Sequence, residues 1–159
     1  MDDKRFASRN DALGFAARTR KNLEFLDNAA NTGEDVHVVT QLINSLLGLV
    51  VFLHERKLSS RFEKMLLADL DGEGWPHIEV TLGQNECSTL YQLMYHIRNA
   101  VAHGRLHFSS DSRRLHEVMV EFEDWKPSAK KPYVCFKLNG SALHEFCLKL
   151  MALVEPEIG

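Results

Sequence analysis

Three cysteines, four prolines and no surplus of positive charge are what this chain of 159 residues is short of, and each shortage removes a class of protein. Cys87, Cys135 and Cys147 are odd in number, far apart and in no C-x-x-C pair, so neither a disulfide framework nor a zinc site is indicated. A reducing compartment suits them, and a cytoplasmic protein is expected. The four prolines, with no Gly-rich linker, repeat or low-complexity tract, leave nothing to divide the sequence, so a single domain over 1–159 is expected. The 19 Lys and Arg against 22 Asp and Glu give a formal net charge of −3, which supplies no overall field for capturing nucleic acid. Any RNA contact has to be local. No P-loop, G-x-G-x-x-G or G-x-S-x-G is present, and these enzyme classes drop out.

The N-terminal MDDKRFASRNDALG has no apolar signal-peptide core. The longest apolar stretch, Val36 to Leu53, is interrupted by His37, Thr40, Gln41, Asn44 and Ser45. No membrane span is therefore expected, and this stretch reads as a buried helix.

Periodicity predicts a first amphipathic helix over about 10–26, with Leu13, Phe15, Ala16, Ala17, Leu23 and Leu26 apolar and a cap at Asn10 or Asp11. After Asn31-Thr-Gly33, a second helix runs from about Asp35 to Glu55, and its half over 46–53 is apolar all round, as in a helix buried on several sides or shared with a partner. A shorter helix covers Ser60 to Leu70 and stops at Asp-Gly-Glu-Gly-Trp-Pro, 71–76. Ile78, Val80 and Leu82 alternate as in a short strand. Thr89 with Gln92 forms a capping box and Gly104 suits the position past a helix end, which frames a helix from Leu90 to His103. Residues 116–125 and 132–138 read as the strands of a β-hairpin, and a final helix covers Ser141 to Val154 before Pro156. The fold class expected is mainly α: a four-helix up-and-down bundle with a β-hairpin inserted before the last helix.

The helix over 90–103 carries the chemistry. At roughly 100° per residue, Leu90, Leu93, Met94, Ile97 and Val101 form one apolar sector, and Gln92, His96, Asn99 and His103 a polar stripe opposite. Arg98 lies about 140° around the helix from His103. Two helices crossing on a two-fold axis ease that separation, because the Arg of one chain and the His of the other then line a common cleft.

The run Arg98-Asn99-Ala-Val-Ala-His103-Gly104, ending a helix of a small bundle, resembles the R-x4-6-H motif of the HEPN superfamily. The hairpin before the last helix resembles that of HEPN proteins from plasmids and other mobile elements. The resemblance implies a HEPN-like homodimer that cleaves RNA without a metal or other cofactor and leaves a 2′,3′-cyclic phosphate. Carried onto this chain, His103 is the proton-transfer group, Arg98 the phosphate anchor and Asn99 an orienting residue. The chemistry suits them: a histidine near neutral pKa can take a proton from a 2′-hydroxyl, and a guanidinium fork can hold an electron-rich phosphorus centre.

Among the neighbours, His96 reads as a surface or interface residue that also extends the cleft. Arg105 and His107 are candidates for gripping flanking phosphates, since Arg105, Arg113 and Arg114 oppose only Asp111 over 104–116. The cluster Arg18-Thr-Arg-Lys21 reads as a solvated face. Glu117, Glu121, Glu123 and Asp124 read as an outward strand face, and His37, His54, His77, His116 and His144 contain no H-x-x-x-H pair among them. The function expected is a metal-independent endoribonuclease with a toxin, defence or plasmid-maintenance role and an antitoxin or other protein partner. The alternative is a non-catalytic module that binds RNA, a nucleotide or a partner protein.

Overall fold

A computed structural model describes residues 3–57 and 59–154, without the side chains of residues 3–10, 12 and 13. It contains α1 (Asp3–Asn31), α2 (Val38–Glu55), a 3-10 turn (Ser60–Lys64), α3 (Leu67–Gly72), β1 (Glu79–Leu82), α4 (Leu90–Ala102), β2 (Leu106–Phe108), a second 3-10 turn (Leu115–Glu117), β3 (Met119–Asp124), β4 (Val134–Asn139) and α5 (Gly140–Val154). Helical residues make up 56% of the chain, so the mainly-α class holds.

The strands exceed the single hairpin expected. β3 and β4 do pair antiparallel, the short strand read at Ile78 to Leu82 is β1 and adds to β4, and the unexpected β2 adds to β3, giving a four-stranded sheet in the order β1-β4-β3-β2. The expected helix over 60–70 is instead the 3-10 turn and α3, broken at Met65 and Leu66. Extended backbone there lets Leu66 bridge to Thr89, so the chain trades helical bonds for strand-like ones.

α1 begins well before Asn10, so Asn10 and Asp11 lie inside the helix rather than at its cap; the packing of Leu13 and the stop at Pro156 lie outside what is described. It also runs past Leu26 to Asn31. There the Thr32 hydroxyl donates to the carbonyls of Asn28 and Ala29, and Gly33 turns the chain with φ +84°.

α2 is the hub of the helical layer, packing on α1, α4 and α5. It is long and apolar enough to cross a membrane by composition alone, yet Val38, Val39, Leu42, Ile43, Leu46, Leu49, Val50 and Leu53 are buried within the fold. Each such side chain contributes about 1.5–3 kcal/mol by leaving water. The inner face of the sheet completes the core: Phe122 and Phe136 stack with ring centres 4.9 Å apart, beside buried Val120, Val134 and Leu138. At the β4–α5 junction, a Cβ on Gly140 would stand 2.6 Å from the Leu115 carbonyl oxygen, so only glycine admits this approach.

Candidate functional site

The motif helix is held at both ends by local chemistry. At its start the Thr89 hydroxyl accepts from the Gln92 N–H at 3.2 Å, and the Gln92 side-chain oxygen accepts from the Thr89 N–H at 3.2 Å and the Ser88 N–H at 2.9 Å, so the expected capping box is present. At its end the Gly104 N–H donates to the Val101 carbonyl and the Arg105 N–H to the Ala100 carbonyl at 2.8 Å. This is a Schellman closure, and it needs the positive φ of +65° that Gly104 adopts. Ala102 is the last helical residue and His103 the cap.

The apolar sector faces the core as expected, with Leu90, Leu93, Met94 and Ile97 buried. The polar stripe does not form an open face. Gln92 is spent on the cap, and His96, expected at a surface or interface, is only 3% exposed. Its Nδ1 lies 2.7 Å from Asp124 Oδ2, and its Nε2 donates at 2.9 Å to the Glu86 carbonyl, which can only accept. Asn99 Nδ2 donates to the same Asp124 oxygen at 3.0 Å, and the Tyr133 hydroxyl does so at 3.3 Å. One buried carboxylate thus gathers α4, the end of β3 and the start of β4. Burial, and secondarily the Asp124 charge, push the Tyr133 hydroxyl up to about 12.

Asp124 corrects the reading of the acidic strand residues. Glu121 and Glu123 do lie on the outer face, but Asp124 shares the parity of Val120 and Phe122 and so points inward, 3% exposed. That parity was readable in the sequence. What it could not reveal is that α4 places His96 and Asn99 over it.

Arg98 and His103 have the opposite surroundings. Arg98 is about one-third exposed, beside a small groove between α2 and α4 lined by Val50, His54, Tyr91 and Tyr95, and its nearest carboxylate, Glu55, is a loose 3.8 Å away. His103 is exposed at the helix cap, and its ring makes no hydrogen bond or ion pair among the described residues. Arg105 and His107 follow on the outer face of the sheet, where the Arg105 guanidinium lies 4.8 Å from the Trp125 ring centre and His107 Nε2 is 3.3 Å from Glu123. The basic run over 104–116 is largely neutralised, since Arg113 pairs with Asp35 and Arg114 with Glu117. The structure therefore brings Asn99 and His96 together below the helix and leaves Arg98 and His103 at the surface.

A family model described as HEPN pEK499 p136 matches residues 1–158. The chain belongs to this HEPN family. The match takes in the motif helix, the sheet and α5 alike, so the resemblance carried by Arg98 to Gly104 extends over the whole length. Comparisons with curated proteins and with solved structures found no match. In this HEPN chain the motif is thus a helix end clamped from the sheet side and open on the other. Such an arrangement can present a cation and an imidazole to an anionic ligand without either being spent on the fold.

Proposed function

We propose that this HEPN protein is a metal-independent endoribonuclease acting from a homodimer, with its four long helices forming the HEPN-type bundle that presents the motif. The observation that carries the reading is the division of labour on α4: His96 and Asn99 are consumed by Asp124, whereas Arg98 and His103 keep their functional groups at the surface of the same helix end. His103 is the group that takes the 2′-hydroxyl proton. That oxygen attacks the adjacent phosphorus, the bond from phosphorus to the 5′-oxygen breaks, the leaving oxygen takes a proton from water, and a 2′,3′-cyclic phosphate remains. Arg98 holds the phosphate as its charge rises, exchanging the loose Glu55 contact for a bidentate one. Asn99 orients the site from beneath, through the helix it ties to the sheet.

Tyr91, Tyr95, Arg98 and Ala102 recur at i, i+4, i+7 and i+11 and form a stripe along α4, with Tyr95 40% exposed. Pairing of two such stripes across a two-fold axis supports the dimer and sets the Arg98 of one chain toward the His103 of the other. A toxin, defence or plasmid-maintenance role in the cytoplasm, with an antitoxin as protein partner, is the biological setting of this reading.

The test incubates the purified protein with single-stranded and structured RNA in EDTA. Cleavage with cyclic-phosphate ends is expected, lost in Arg98→Ala and His103→Ala proteins that remain folded. Intact RNA at high protein concentration, or equal cutting by the variants, rejects catalysis by this motif. The second reading is a HEPN module that binds RNA, a nucleotide or a partner without chemistry. The engagement of the Asn99 amide with Asp124 favours it, since no side chain then orients His103 directly. RNA retained but never cut selects it.

A further inference from the structure

Arg105 leaves the motif helix two residues after His103 and enters the outer face of the sheet. The Glu123 N–H donates to the Arg105 carbonyl and Leu106 pairs with Phe122, so Arg105, His107, Glu123 and Trp125 share that face, opposite to Asp124. Their side chains form a fixed stack. The guanidinium lies 4.8 Å from the indole centre, the Trp125 Nε1–H donates to one Glu123 oxygen at 3.0 Å, and His107 Nε2 faces the other at 3.3 Å. Both oxygens of this carboxylate are engaged, which blunts its repulsion of a polyanion. Lys126 follows at once but turns to the other side, with Nζ 5.1 Å from the ring centre of Tyr133, whose hydroxyl binds Asp124, so the cation of this face is Arg105 itself.

An acidic protein cannot hold RNA by bulk charge, but it can hold it by stacking. Unpaired nucleobases stack on aromatic rings and on guanidinium planes, and a cation beside the ring takes the neighbouring phosphate. A half-buried indole with its edge fixed and a guanidinium beside it is already ordered, so little rotamer freedom remains to be lost on binding. Bases within a duplex are stacked on one another and are not offered to such a site.

We propose that Arg105 and Trp125 form a nucleobase subsite that takes one unpaired base of an RNA strand whose scissile phosphate lies at the end of the motif helix. The base extends the stack on the guanidinium plane or displaces it from the indole. This deepens the endoribonuclease reading and rests on it for the identity of the ligand as RNA.

The chain has two tryptophans, so a Trp75→Phe protein reports on Trp125 alone. It is titrated with a 2′-O-methyl single-stranded oligoribonucleotide, which cannot be cleaved, with an abasic oligomer of equal length and phosphate content, and with the duplex. Quenching of Trp125 by the base-bearing single strand, and by neither of the others, is expected. By anisotropy of the labelled single strand in the parent background, Trp125→Ala and Arg105→Ala bind about tenfold more weakly, the worth of one stacked base, while Trp125→Phe stays within about threefold. Equal quenching by the abasic oligomer, or unchanged affinity in Arg105→Ala and Trp125→Ala, overturns the subsite. If the parent cuts RNA but the Trp125 and Arg105 variants bind as it does, only the subsite falls; if the parent quenches normally yet never cuts, only the endoribonuclease reading falls.

Discussion

The two histidines of α4 sit seven residues apart and have opposite surroundings. His96 has both ring nitrogens engaged inside the protein, one by Asp124 and one by the Glu86 carbonyl, whereas the His103 ring has no partner among the described residues. Asn99 and Arg98, adjacent in sequence, divide in the same way: the amide is bound to Asp124, and the guanidinium is partly open to solvent. Residue type does not separate a histidine spent on the fold from one left exposed; the element that lies across from it does. The inner pair braces the helix on the sheet, and the outer pair remains available for a ligand.

Breaking the brace gives the largest expected effect on stability. Asp124→Ala leaves a buried imidazole and an amide without their acceptor and costs about 3–5 kcal/mol, read as a lower urea midpoint. A loss below about 1 kcal/mol would mean that the inner pair does not hold the helix. At the other end, on the proposed mechanism, His103→Ala is expected to lower RNA cleavage by about 100-fold or more while its free energy of unfolding stays within about 0.5 kcal/mol of the parent, because the side chain is exposed. The reverse result, a stability loss with cleavage intact, removes the contrast between the two histidines. In the proposed dimer Tyr95→Glu would set like charges against each other between two α4 stripes, so a monomer in light scattering with reduced cleavage is the outcome that reading expects. An unchanged dimer would place the interface on another face.

A smaller effect sharpens the comparison through pH. Burial pushes the Cys87 and Cys147 thiols up to about 12, and burial with the Asp124 charge does the same for Tyr133. Each group then holds its proton more tightly folded than unfolded. Their contribution is complete below the unfolded pKa values of about 9 to 10 and is lost as pH rises toward about 12. The free energy of unfolding should therefore decline above about pH 9, and the two thiols should resist alkylation in native protein near about pH 8. In an absorbance titration Asp124→Asn brings Tyr133 partway back toward the ordinary tyrosine value of 10.0, since burial remains as the larger cause. No shift on this substitution would disconnect Tyr133 from the brace.

What was legible in the residues was what depends on near neighbours. The capping box at Thr89 and Gln92 and the glycine closure at Gly104 bound α4 within one residue of its observed end, because both use groups at most five positions apart. The alternation of Val120 and Phe122 gave β3 its inner face, and Asp124 shares that parity although the acidic run groups it with the outward Glu121 and Glu123. Other features stayed hidden because their partners are remote. β2 is three residues long and is a strand only because β3 lies beside it, and the contact of Asp27 with His144 at 2.7 Å joins α1 to α5 across 117 positions.

The six residues from Arg98 to His103 determined by themselves that a cation and an imidazole end one capped helix, since helical geometry is local and hydrogen-bonded within a few residues. Which polar residues of that helix are free was decided only by the tertiary structure. Packing α4 on the sheet removes His96 from water and turns the half-buried Asn99 to the same side, and a polar group removed from water must find a partner inside the protein, here Asp124. His103 is exposed and Arg98 keeps about a third of its side chain in solvent, so no such demand was placed on them.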